Sequence, residues 1–200
     1  MSPRNEEQNK QLRDERREQI LQSALKVFAK RGLAATKISD ITSEAGLSHG
    51  LVYHYFSSKD EVFLTLVKRA LEGSKMVVDY ASQQKLSPLG KIKWMTEMIL
   101  KEMPEDGAYY NLITIQAFTS DAVPEQIKSI IKDKSPNALE GILPIIKAGQ
   151  KSGEIVQKDP VKLAALYFAV IQGIAMQQLQ GKEIMPTPDV EHILRIFKAY

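Results

Sequence analysis

Apolar residues recur at spacings of three and four along nearly the whole 200-residue chain, and glycine or proline interrupts them repeatedly. Strict two-residue alternation is scarce. This periodicity predicts an all-α protein of about nine helices. Ile20, Ala24, Val27 and Phe28 form one stripe, which Gly32 stops. Ile38, Ile41 and Ala45 form a short second stripe, which Gly46 stops. Residues 48–56 read as a third short helix. Ser58-Lys59-Asp60-Glu61 reads as a capping box, with Glu61 reaching back to the amide of the capping residue. It opens a fourth, long helix to about residue 84. Residues 160–180 and 189–200 read as the last two helices. Residues 1–13 read as a charged, mobile arm or a frayed helical extension.

Composition removes several classes of function. The chain has no cysteine, so disulfides, thiolate catalysis and cysteine-based zinc sites are excluded. His49 and His54 are five residues apart and do not share the face that paired helical metal ligands need, so no metal site is expected. No nucleophile elbow, phosphate-binding loop or dinucleotide motif is present, so neither a cofactor nor enzymatic activity is expected. The polar start lacks the apolar run of a signal peptide. The nearly apolar run 163–176 is shorter than a bilayer crossing needs, which leads to the expectation of a cytoplasmic protein. The net charge of +3 lies within residues 1–75, a weak pointer to nucleic acid.

The organisation of residues 37–56 carries the functional signal. A helix ends at Gly46, and Ser48 can cap the next one after a tight turn. This is the geometry that lays a second helix into a major groove. Val52 and Phe56 face the core, while His49 and Tyr53 share one outward face and Gly50 and His54 another. Ser48 and His49 sit at the positive end of the helix, where free amides favour phosphate. Gly50 lets the backbone approach DNA closely. Tyr53 and His54 offer donors to phosphates or base edges. Leu51 either touches a thymine methyl or turns inward. Lys59, in the first turn of a helix, is unfavourable towards the dipole unless a phosphate docks beside it.

The runs Thr36-Lys-Ile-Ser-Asp-Ile41, Glu44-Ala-Gly-Leu-Ser48, Gly50-Leu-Val-Tyr-His-Tyr-Phe56 and Ser58-Lys-Asp-Glu-Val-Phe63 resemble the DNA-binding domain of the TetR family of bacterial repressors. The resemblance covers residues 14–74. It implies DNA contacts by Thr36, Ser48, His49, Gly50, Tyr53, His54 and Lys59. It also implies that residues 75–200 form a helical ligand-binding and dimerisation domain. The expected function is a sequence-specific regulator, released as a repressor from a palindromic operator by a small apolar or aromatic effector. The alternatives are a helical module whose helix-turn-helix contacts protein and, less compatible with the residues present, an enzyme acting on a small molecule.

The rest of the chain has no motif with chemistry. The helix over 160–180 is apolar nearly all round, so one side can meet the core and the other a partner. Ala165, Ala169 and Gly173, four apart, would permit close approach. With Ile193, Leu194 and Phe197 of the last helix, they resemble the family's four-helix dimer bundle. Filling of a monomer core is the other reading of both helices. The middle of the chain concentrates Met and aromatic residues, ordinarily core. The resemblance implies a ligand cavity there, with Trp94, Met98, Tyr109, Tyr110, Gln116, Phe118, Tyr167, Gln172 and Met176 as its expected lining.

Overall fold

A computed structural model describes residues 3–102, 106–134, 137–179 and 186–199. Among them are ten helices: α1 Pro3–Ala35, α2 Ile38–Ala45, α3 His49–Tyr55, α4 Lys59–Gln83, α5 Pro88–Glu102, α6 Ala108–Thr119, α7 Glu125–Lys134, α8 Ala138–Ser152, α9 Pro160–Gln178 and α10 Val190–Leu194. No strand occurs among the described residues, only one isolated bridge between Ile155 and Lys198. Residue 103, expected in the middle cluster, and residue 136, expected to open α8, lie outside the described residues. The chain divides into two compact units. One holds residues up to Lys68 with Leu112–Asp133, and the other holds Arg69–Asn111 with residues from Lys134 on.

The first unit is built on α1. The helix is described from Pro3, so residues 3–13 follow the helical-extension alternative rather than the unstructured arm. Gly32 breaks its register with φ 75° and ψ 169°, a backbone that a residue with a Cβ rarely adopts. α2 packs on α1, and α3 packs on α2. Gly46 ends α2 in the left-handed conformation at φ 63°, as its place after the second stripe predicts. Leu21, Leu25, Phe28, Ile41, Val52 and Phe56 are all buried. The Phe28 and Phe63 rings meet edge to face at 5.3 Å and ties the start of α4 to this core.

The second unit packs α8 against α9 and against α5, and α5 against α10. Its core includes Ile92, Met95, Ile142, Ile146, Ile155 and Tyr167. Packing is close at Gly149, where an added Cβ would stand 2.6 Å from Ile155 Cγ1 and 3.0 Å from Pro88 Cβ. The loop before α9 is pinned to the C-terminal turn, since Val156 N donates to the Phe197 carbonyl at 2.8 Å. α9 starts on a side-chain cap, with Asp159 accepting from the amides of Val161 and Lys162.

Three expectations are corrected in this unit. The last helix is only Val190–Leu194, because residues 195–197 turn back to meet the loop that holds Ile155. Ile193, Leu194 and Phe197 are therefore buried in the chain's own core, with Phe197 at 5.7 Å from the Tyr167 ring. They are not exposed for a partner. α9 itself, at nineteen residues, is long and apolar enough to cross a membrane by length and composition. The shorter run 163–176 understated it. One of its sides, through Leu163, Ala164, Tyr167, Ile171 and Ile174, nevertheless lies in the core.

Candidate nucleic-acid interface

α3 is short, and its orientation depends on two anchors. Val52 is fully buried and Phe56 nearly so. The guanidinium of Arg17, on α1, lies 5.0 Å from the centre of the Phe56 ring and covers it from the outside. With those residues inward, Ser48, His49, Gly50, Tyr53 and His54 are exposed on the opposite side. Tyr53 keeps 51% of its surface open. Its ring stands 5.3 Å from that of His49, as their four-residue spacing predicts. Nothing lies within 4 Å of a Cβ built on Gly50, so its surface is open. Ser48 is the N-cap by backbone conformation, but its hydroxyl makes no capping bond. Leu51 is half-buried, between its two expected roles.

The elements around α3 are fixed by polar bonds at their ends. Asp40 accepts from Lys37 N at 2.8 Å and from Arg31 at 2.8 Å. The Lys37 amide first, and the Arg31 charge beside it, hold the Asp40 carboxyl below its usual range. At the start of α4 the capping box is displaced by one residue. Ser58 Oγ accepts from Glu61 N at 3.1 Å, but Glu61 bonds the hydroxyl and amide of Ser57, both at 2.7 Å. The bonds from Ser57 lower the Glu61 pKa.

Two residues expected to face DNA are occupied inside the protein. Lys59 Nζ donates to the carbonyls of Leu33 at 2.8 Å, Thr36 at 2.9 Å and Ala34 at 3.3 Å. The break at Gly32 sets these carbonyls at the end of α1, and a cation complements that end of the helix. Thr36 is only 1% exposed, and its hydroxyl donates to the Gly32 carbonyl at 2.7 Å. The unfavourable dipole position of Lys59 thus has an internal explanation that needs no phosphate.

The expected effector residues are divided between the two units. Gln116 and Phe118 belong to the first unit and the others to the second. Gln116 Nε2 donates to the Ala29 carbonyl at 3.2 Å. Phe118, Gln172 and Met176 are exposed. Tyr167 is fully buried, and its hydroxyl is 3.0 Å from Thr96 Oγ1. Burial raises its pKa. Trp94, Met98, Tyr109 and Tyr110 are half-buried. The expected close-approach positions of α9 are open: Ala165, Ala169 and Gly173 are exposed, alongside Val161, Leu166 and Met176.

A short helix held by two buried anchors, preceded by a tight glycine turn and exposing one polar-aromatic face, has the helix-turn-helix geometry that DNA-binding regulators use. The profile described as "Bacterial regulatory proteins, tetR family" matches residues 20–66. The chain is 27% identical to the probable HTH-type transcriptional regulator ArpR of Pseudomonas putida, over 82% of this chain and 80% of that protein. It is 24% identical to the HTH-type transcriptional repressor BepR of Brucella suis biovar 1, over 84% and 83%. The fold is similar to the crystal structure of the MbdR regulator from Azoarcus sp. CIB, with a TM-score of 0.75, 20% identity, and 90% and 95% of the two chains covered. Residues 20–66 thus match the family of bacterial regulatory proteins of tetR type, and most of the chain is similar to helix-turn-helix transcriptional regulators.

Proposed function

We propose that this chain is a homodimeric repressor that reads a palindromic operator with α3 and is released by a small apolar or aromatic effector. The observation that carries the reading is the exposed row Ser48, His49, Gly50, Tyr53 and His54 above buried Val52 and Phe56. Hydroxyl, imidazole and phenol donors in that row suit phosphates and base edges. The same chemistry without arginine gives no bidentate guanine contact. The similarity to BepR, a named repressor, supports the direction of control.

Dimerisation is assigned to the open face of α9. Small residues at 165, 169 and 173 allow backbones to approach, and flanking Leu166 and Met176 supply apolar area. A two-fold pair would set its recognition helices about 34–36 Å apart, one turn of DNA. Of the expected effector contacts, Trp94, Met98, Tyr109 and Tyr110 stay in the proposal. An effector acts only if it binds the DNA-competent and DNA-released states unequally. Such a protein works where the chromosome is, in the cytoplasm.

The test is a gel shift with the duplex upstream of the chain's own reading frame, with and without 1-naphthol as an aromatic probe. The same titration follows quenching of Trp94, the single tryptophan. A shifted band that the probe dissolves, with quenching at the same concentration, is expected. A chain that never shifts duplex DNA at low salt contradicts the DNA reading. A band unaffected by a probe that quenches Trp94 contradicts the effector mechanism.

A further inference from the structure

A helix that approaches DNA needs positive charge nearby, yet α3 contains neither lysine nor arginine. The first cation after it, Lys59, has its ammonium on three backbone carbonyls. Phosphates beside α3 therefore need cations from another element. α1 offers them. Lys10, Arg13 and Arg17, at spacings of three and four, share one helical face. Together with Tyr55 of α3 they line an open groove of about 360 Å³. Arg17 fixes this face against the end of α3 through its contact with the Phe56 ring.

We propose that the N-terminal turns of α1 are a second DNA-binding element, in which Lys10, Arg13 and Arg17 clamp the phosphate backbone beside the recognition helix. This inference rests on the DNA-binding reading of α3 and extends it. Residues 6–16 are all exposed, so this stretch of helix fills no core. Among the described residues, Lys10 and Arg13 join no ion pair. From residue 10 to residue 17 the helix rises about 10 Å. That length matches about three nucleotides of one strand at about 3.4 Å each. Glu6 and Asp14 line the same groove. They oppose a polyanion and so give the proposal a sign that can be tested. A protein docked in the groove would cover Tyr55 and compete with DNA for the edge of α3.

The experiment is fluorescence anisotropy of the full chain with two labelled duplexes, its own upstream region and a random sequence, across a salt series. Lys10→Ala/Arg13→Ala alters exposed side chains only. It is expected to weaken both duplexes about tenfold or more and to flatten the log K against log salt slope by about 1.8, or 0.9 per phosphate. Asp14→Asn is expected to tighten binding to both. Wild-type slope and affinity in the double variant, with Asp14→Asn also unchanged, would overturn the clamp while leaving α3 as the DNA reader. Failure of the wild type to bind either duplex would overturn both readings. A loss on the upstream duplex alone would make these residues sequence readers and contradict a phosphate clamp.

Discussion

The two short helices of the reading module and the long helix α9 use their surfaces in opposite ways. α3 exposes a row of polar and aromatic side chains and hides two apolar anchors. α9 hides one side of an apolar surface and leaves another uncovered, with Val161 and Leu166 each 49% exposed. The first pattern suits a hydrated, charged partner, the second a dry, self-complementary one. An exposed surface is thus informative only with its chemistry. The residues beneath each surface matter equally, because they hold the face in place.

Changes that confuse the two surfaces break this comparison most severely. Ala169→Glu places a charge on the open face of α9 and is expected to convert the proposed dimer fully to monomer, read by analytical ultracentrifugation. DNA binding should fall with it, while α3 is untouched. A dimer surviving this change would remove α9 from the interface. Gly149→Ala and Gly173→Ala sharpen the same contrast within one unit. The first forces a Cβ against Ile155 and Pro88 and should cost about 1–3 kcal/mol of stability by overpacking. The second meets nothing within 4 Å and should leave protomer stability nearly unchanged. Equal melting temperatures for the two variants would contradict the packing described.

Lys59→Ala separates structure from DNA contact in the reading module. Loss of its bonds to Leu33, Ala34 and Thr36 is expected to destabilise the fold by about 1–3 kcal/mol. That corresponds to a lower melting temperature by about 2–4 °C per kcal/mol. An unchanged melting temperature with a salt slope flattened by about 0.9 would return Lys59 to the phosphate.

The smallest effect concerns Glu191, whose carboxylate bonds Lys198 at 2.7 Å and Lys93 at 3.0 Å. The Lys198 bond first and the Lys93 bond second hold its pKa down at about 2. A carboxyl depressed in the folded state stabilises above its ordinary range near 4.5 and loses that contribution as pH falls towards about 2. Glu191→Gln is therefore expected to flatten acid destabilisation in that window slightly. An acid melting curve identical to the wild type would show that this pair contributes nothing measurable.

Much of the reading module was legible in the sequence because its determinants are local. Gly46, the Val52–Phe56 spacing and the His49–Tyr53 pair each act within one or two turns, and all appear where the pattern places them. The capping box was displaced by a single residue, since Ser57 and Ser58 offer the same chemistry. The internal bonds of Lys59 are not legible in the sequence, because its partners lie 23 to 26 residues away, at carbonyls set by the break at Gly32. The second unit was less legible for a related reason. Apolar periodicity announced that Ile193, Leu194 and Phe197 would be buried, but not that their own chain would bury them. The composition of α5 and α9 likewise could not distinguish the hydroxyl pair of Thr96 and Tyr167 from the lining of a cavity.

The most direct test of the central claim is the affinity of Tyr53→Ala for the upstream duplex, measured beside its melting temperature. Tyr53 projects outward, so the fold should melt as the wild type does. Affinity should fall about tenfold or more if the phenol meets a phosphate or base edge. Wild-type affinity in a natively folded Tyr53→Ala protein would contradict the assignment of this face to DNA.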